Sequence, residues 1–404
     1  MDIVVAHTSY KQAGGEDTCV AAEVAMLRAH GHNVTQYCLH NDATDAMGRI
    51  QLASRTIWSR SSYHELREMF REHRPQIAHF HNTFPLMSPA AYYAARAEDV
   101  AVVQTLHNFR LSCVNALLFR NGEVCEACLG KAIAWPGIAR KCYRNSRAAS
   151  AATATMVAIH RLLGTWRNAV DMYIALSEAS RRKLVQGGID ADKIAVKPNF
   201  VYPDPGPGTG QGGYAIYVGR LSVEKGIETL LAAWQGLSHI PIKIVGDGPL
   251  AAAVRDAAAL NAAIEWLPGV PLEAVYGLIG DARCLVLPSQ CYENSPRVLI
   301  EAFAKGTPVV VSKRGAMAEL VDEGCTGLQF KPGDPDELAS RIRFIFADAE
   351  GLRRMREAAR GTFNQKFTAA INHELLMAVY QQALARRSRA GRAVQSIAPI
   401  SIRS

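Results

Sequence analysis

Two carboxylates, Glu293 and Glu301, bracket the stretch Glu-Asn-Ser-Pro-Arg-Val-Leu-Ile-Glu-Ala-Phe-Ala-Lys-Gly that ends at Gly306. It follows the apolar run Cys284–Leu287 and Pro288, so the order reads strand, short loop, helix. Ser295 is expected to cap the helix and Pro296 to sit in its first turn, where a missing N–H costs nothing. The unpaired amides of such a helix start, at the positive end of its dipole, can bind a phosphate. Phosphate-binding amides beside hydroxyl-binding carboxylates suit a nucleotide sugar. The alternative is a capped amphipathic helix with a solvated Glu, and the segment alone does not choose between them.

Other groups of the right chemistry lie at the ends of apolar runs. Arg220 and Lys225 share a loop after Ala215–Val218 and as a pair suit a diphosphate, with solvated loop charges as the alternative. Gly14 and Gly15 follow the first apolar run, and Gly246, Asp247 and Gly248 follow Ile242–Val245. Glycines there permit either a close approach to a ligand or a tight turn. His107 closes the run Val100–Leu106, just as His79 and His81 close Ile77–His81. In open parallel sheets the ligand crevice lies beyond the carboxyl ends of strands, so His107 is placed to meet substrate, although a lone histidine is more often structural. Cys113, Cys125, Cys128 and Cys142 are spaced C-x11-C-x2-C-x13-C. They could hold one tetrahedral structural zinc or remain free thiols, and four cysteines leave no open position for a catalytic metal.

The elements that carry these residues alternate between strand and helix. Strands are expected at Ile3–Ala6, Val34–Leu39, Ile77–His81, Val100–Leu106, Met172–Leu176 and Ile194–Lys197, then at Ala215–Val218, Ile242–Val245, Ile264–Leu267, Cys284–Leu287, Pro308–Val311 and Gly327–Phe330. Helical patterns cover Thr18–His30, Ser61–His73, Ser150–Thr165, Glu178–Gln186, Pro335–Asp348, Gly351–Lys366 and Ala370–Arg386. This is the α/β alternation of parallel sheets. With 404 residues the chain is too long for one ordinary core. We divide it into a first domain over 1–200 with a cysteine-bearing insertion at 108–148, a linker at 201–213 dense in Pro and Gly, a second domain over 214–368, a helix over 369–387 returning to the first domain, and a basic tail over 388–404 expected to be disordered.

Composition excludes several classes. A hydrophobic fraction of 49% and a charged fraction of 20% are those of a soluble globular protein. No apolar run reaches the roughly 18 residues that span a bilayer. Met1–His7 lacks the basic flank of a signal peptide, and nine cysteines are an odd number for a disulfide framework. The expected location is the cytoplasm, with the inner face of the membrane as a further option. The net charge of +8 is concentrated between Thr105 and Val185 and favours an anionic partner. An anionic membrane or a phosphate-bearing acceptor fits this as well as a merely soluble face does; no nucleic-acid motif or stacking platform accompanies it.

Together these residues resemble the retaining glycosyltransferase family 4, also grouped as glycosyl transferases group 1. Its GT-B architecture is two Rossmann-like parallel-sheet domains facing across a cleft. The resemblance rests on Glu293 and Glu301 with Ala302, Gly306 and Pro308-Val309-Val310, on Val218-Gly219-Arg220-Leu221 with Glu224-Lys225-Gly226, on Val245-Gly246-Asp247-Gly248-Pro249, and on Gly14-Gly15 with Gly31-His32. It implies that the second domain holds a nucleotide diphosphate sugar, with Arg220 and Lys225 on the diphosphate, Glu301 on the ribose and Glu293 on the sugar hydroxyls. It places Gly14, Gly15, Gly246, Asp247, Gly248, Asn294, Ser295, Pro296, Arg297 and Val298 in the donor-binding set, and His107 against the reacting sugar and acceptor. It implies no catalytic metal. Asn294-Ser295 departs from the Phe-Gly that many members carry. The expected activity is retaining transfer of a hexose-type sugar to a glycan or lipid-linked acceptor, in bacterial surface or extracellular polysaccharide synthesis. An epimerase of the same architecture and a non-catalytic binding module are the alternatives.

Overall fold

The computed structural model describes residues 1–11 and 14–395, with side chains described up to 389. Its first half carries β1 (Asp2–Ser9), β2 (Asn33–His40), β3 (Ile77–Phe80) and β4 (Ala101–Thr105), a small hairpin of β5 (Phe119–Arg120) and β6 (Glu123–Val124), then β7 (Met172–Ala175) and β8 (Ile194–Val196). The second half carries β9 (Ala215–Val218), β10 (Ile242–Val245), β11 (Ile264–Leu267), β12 (Cys284–Leu287), β13 (Val309–Ser312) and β14 (Gly327–Phe330). These form two six-stranded sheets in the orders β2-β1-β3-β4-β7-β8 and β11-β10-β9-β12-β13-β14. Every pairing in both is parallel.

Parallel sheets bury both faces, which is why their strands are nearly unbroken apolar runs and could be read from sequence. All four residues of β3, β7, β12 and β13 are buried. In each sheet the strand order reverses once, between β1 and β3 and between β9 and β12. The loops leaving the carboxyl ends of those strands diverge and open a crevice there. The loop after β1 holds Gly14 and Gly15, that after β3 holds His81, that after β9 holds Arg220 and Lys225, and that after β12 holds Glu293.

Several boundaries differ from the sequence reading. The Ala-rich helix runs Arg147–Leu162, capped by Ser146, and a separate turn at Thr165–Asn168 follows the left-handed Gly164. Short helices at Ala90–Ala97, Leu272–Asp281 and Gly315–Leu320, none longer than 10 residues, are new. The segment 201–213 has no helix or strand, but it is held: Gly208, Gly210 and Gly212 donate backbone hydrogen bonds to Lys305, Gly280 and Asp281.

The last helix spans Ala369–Gln395, beyond the 387 expected, and so includes the first residues of the supposed tail; 396–404 lie outside the described residues. Its Leu376, Val379, Tyr380 and Ala383 pack in one cluster with Ile3, Val5 and Val103 of the first sheet. Arg386 pairs with Asp192 at 3.0 Å and Arg387 with Asp99 at 2.8 Å, so these charges hold the helix to the first half.

Gly226 fastens the second switch point. It stands at φ +74°, and a β-carbon there would lie 1.9 Å from the carbonyl oxygen of Pro288 at the end of β12. Gly226→Ala is expected to cost about 3 kcal/mol or more, because left-handed strain adds to a backbone clash. Gly31→Ala, also left-handed but with open space around it, should cost about 1 kcal/mol. Equal urea midpoints for the two variants would contradict this.

Candidate functional site

The loops leaving the second sheet bring Arg220, Lys225 and Glu293 to one crevice wall. Lys225 Nζ donates to Glu293 Oε1 at 2.7 Å, and Ser289 Oγ donates to the same oxygen at 2.8 Å. Burial would raise the Glu293 carboxyl, but the charge and hydrogen bond of Lys225, with Ser289, hold it below its ordinary value. Burial would likewise lower the Lys225 ammonium, and Glu293 more than reverses this. The pair is therefore fixed as two charges. Arg220 is exposed nearby and makes no side-chain hydrogen bond or ion pair among the described residues. Gly246 and Gly248 stand where neighbouring backbone comes close. A β-carbon on Gly246 would lie 2.0 Å from Gly219 O, and one on Gly248 2.5 Å from Leu221 O. These glycines let the loop after β10 pack on the loop that carries Arg220.

The helix after Glu293 begins at Arg297, with Pro296 as its cap residue, and ends at Ala304. Ser295 does not cap it. Proline disfavours a helical conformation for the residue before it; the Ser295 carbonyl instead accepts from Asn199 Nδ2 at 2.8 Å, and Ser295 Oγ is buried without a partner. The first-turn amides are left free of any side-chain cap. One turn in, Arg297 Nε lies 3.0 Å from Glu301 Oε1, both side chains being buried. Burial raises the Glu301 carboxyl, and Arg297 offsets this only in part. Arg297 Nη1 is buried with no hydrogen-bond partner.

The first half meets this helix directly. Asp17 accepts from the backbone N–H of Tyr10 and of Gly14 and lies 3.0 Å from His7 Nε2, which pins the glycine loop. A β-carbon on Gly15 would come to 3.9 Å from Arg297 Cβ. Asn294 Nδ2 donates to the carbonyl of His107 at 2.6 Å. The residue that departs from the usual family pattern thus ties the two halves together. The sequence alone gave no sign of this, nor of the matching bond from Asn199.

Behind His107 lies a buried polar cluster that sequence reading missed, because its members come from four separate segments. His107 Nε2 lies 2.9 Å from His81 Nδ1. Glu23 Oε1 lies 3.2 Å from His81 Nε2 and 3.0 Å from His79 Nδ1, and Glu23 Oε2 accepts from Lys197 Nζ at 2.9 Å. Glu23, His79 and His81 form the one trio of metal-capable side chains within ligand distance of one another among the described residues. The Lys197 ammonium already sits on that carboxylate, so a divalent cation would face a like charge. In front of His107 is a cavity of about 50 Å³ lined by Glu16, Asn108, Arg110, Phe84, Tyr92 and Trp166, among others. Burial raises the Glu16 carboxyl to about 7, and its Oε1 has no partner.

Cys113, Cys125, Cys128 and Cys142 are all free and line one small cavity of about 10 Å³, roughly the volume of one water-sized sphere. Their sulfurs do not form a trio within common ligand distance. The segment is less irregular than expected: Asn121-Gly122 makes the β5–β6 hairpin turn, a dipeptide signal legible in the sequence.

Comparison with known proteins agrees with this architecture. The chain matches the family described as Glycosyltransferase Family 4 over residues 13–204 and that described as Glycosyl transferases group 1 over residues 209–362. It is 32% identical over 150 residues to the sulfoquinovosyl transferase of Arabidopsis thaliana, covering 36% of this chain and 29% of that protein. It is 29% identical over 224 residues to the glycogen synthase of Mycobacterium tuberculosis, covering 54% and 51%. The chain thus spans about half or less of the length of these relatives. Among solved structures, Anabaena HepE in complex with UDP superposes with a TM-score of 0.66 at 17% identity, covering 94% of this chain and 100% of that one. The sucrose-phosphate synthase of Thermosynechococcus elongatus gives 0.70 at 18% identity, covering 95% and 100%. These neighbours share the two-domain GT-B fold. Matched in its first half by one family and in its second by the other, the chain belongs to the glycosyltransferases of family 4 and group 1.

Proposed function

We propose that this protein transfers a hexose-type sugar from a nucleoside diphosphate donor to a hydroxyl of a glycan or lipid-linked acceptor, with retention of configuration. The observation that carries the reading is the Lys225–Glu293 pair at the second switch point, beside exposed Arg220 and an uncapped helix start, opposite His107. Arg220, Lys225 and the first-turn amides of Arg297–Ala304 would take the diphosphate and stabilise the charge that grows on it as the glycosidic bond breaks. Glu293, fixed by Lys225, would accept from donor-sugar hydroxyls. Glu301 would accept from the ribose, exchanging part of its contact with Arg297, whose free Nη1 could turn to phosphate. The hydrolase-like route to retention needs a carboxylate nucleophile about 5 Å from the acid, and we assign no residue to that role. We favour same-face attack in which the leaving phosphate deprotonates the acceptor. UDP-glucose is the natural first probe, because Anabaena HepE structures hold UDP and UDP-glucose.

A lipid-linked acceptor and contact with an anionic membrane are supported by Ile133, Trp135, Leu162 and Leu163, which are exposed close in sequence to Lys131, Arg140, Lys141 and Arg161. Among the described residues no helix is long and apolar enough to cross a membrane. In the same reading the four-cysteine insertion holds a structural zinc, with its sulfurs drawn together onto the cavity they share and with no part in the chemistry.

Hydrolysis of UDP-glucose without acceptor, or transfer with one, should fall about 100-fold or more in Lys225→Ala and in Arg220→Ala, the size of loss expected for a group that stabilises transition-state charge. Near-normal turnover in both, and in Glu293→Gln, would defeat the assignment. Metal analysis should find one zinc per chain, lost in the Cys125→Ser, Cys128→Ser double variant; a folded, metal-free wild type would remove the zinc.

A further inference from the structure

We propose that Glu23, acting through His81, fixes His107 in the tautomer whose bare Nδ1 faces the cavity, so that His107 can only accept a hydrogen bond there, from a sugar hydroxyl. The inference rests on the transferase reading and assigns Glu23 and His81 as positioning residues for it.

Burial would raise the Glu23 carboxyl, but Lys197, His79 and His81 hold it well below its ordinary range. Ionised, it repels a bare nitrogen lone pair, so the imidazole nitrogen 3.2 Å away, His81 Nε2, is the protonated one by charge, although the two atoms are not aligned as a hydrogen bond. Burial and His79 keep His81 neutral, lowering it to about 4. A neutral His81 protonated on Nε2 has a bare Nδ1. That atom lies 2.9 Å from His107 Nε2, and the contact is a hydrogen bond only if His107 Nε2–H is the donor. Burial first, then the neighbouring His81, keep His107 neutral as well. Its second nitrogen, Nδ1, is therefore left without a proton.

The surroundings support a locked geometry. The His107 carbonyl is held by Asn294. His79, two residues before His81, is tied to Tyr380 OH and Thr105 Oγ1, each at 2.8 Å, and Lys197 is also bound to Asn372. The titratable and charged groups around this line are His7 with Asp17, Glu23, His79, His81, Lys197 and Tyr380, with Glu16, Tyr10 and Arg110 on the cavity side. Glu16 Oε1, without a partner, lines the same cavity; because burial raises that carboxyl to about 7, it accepts from a hydroxyl when ionised and donates to one when protonated.

Long-range proton–nitrogen correlation spectra of protein carrying nitrogen-15 histidine read the tautomer without any substrate, with His107 identified by loss of its signals in His107→Asn. Wild type should show His107 neutral and protonated on Nε2 alone at neutral pH. His81→Phe keeps the buried volume but removes the acceptor, and should turn His107 into a mixture of tautomers. In that variant UDP-glucose hydrolysis should drop about tenfold, and its pH profile should change, while UDP affinity stays within about twofold of wild type, the pattern of a lost positioning contact. A wild-type His107 protonated on Nδ1, or one unchanged by His81→Phe, would overturn the inference. Absent hydrolysis in wild type with the expected tautomer would instead count against the transferase reading.

Discussion

Everything in the cleft depends on how a buried carboxylate is paired. Glu293 stands at the end of β12 with only 13% of its side chain exposed, and its charge is tolerable there because Lys225 reaches it from the loop after β9. Removing either partner leaves a largely buried charge uncompensated, which typically costs several kcal/mol. The pair spans the place where strand order reverses, so it holds the two diverging loops at a fixed separation and presents one cation and one carboxylate side by side. Gly226, packed on the Pro288 carbonyl, supplies the backbone contact that lets the two residues meet.

The first half repeats the device at greater depth. Glu23 is fully buried and takes Lys197, His79 and His81 together, and through His81 it governs His107. Two ion pairs, one in each sheet, thus set the orientation of the groups that face each other. Asn294 and Asn199 join the halves by bonds to backbone carbonyls, which ties the two walls together. The last helix adds Tyr380 and Asn372 to the Glu23 cluster, so the far end of the chain supports the chemistry near its start.

Much of the fold was legible in the sequence because strands buried on both faces are continuous apolar runs. Their boundaries came within a few residues, and β9 to β12 were read without error. Short helices such as Leu272–Asp281 were not, since Gly277 and Gly280 inside it lower its helix propensity. Local chemistry also misled at Ser295, whose type fits a cap but whose backbone is turned away by Pro296. The glycines after β10 left a close approach or a tight turn open, and the packing of a neighbouring loop on them appears only in three dimensions. The Glu23 cluster was out of reach for a plainer reason. Its members are scattered from Glu23 to Tyr380, and only the parallel pairing of β1 with β3 and of β3 with β4, together with the returning last helix, assembles them.

A crystal structure of this protein grown with UDP decides whether the crevice between the two switch points is a nucleotide-sugar site. The diphosphate is expected against Arg220, Lys225 and the first-turn amides of Arg297–Ala304, with the ribose hydroxyls on Glu301 and no phosphate within reach of His107. UDP bound elsewhere, or lying with its diphosphate against His107 and Glu16, would contradict it.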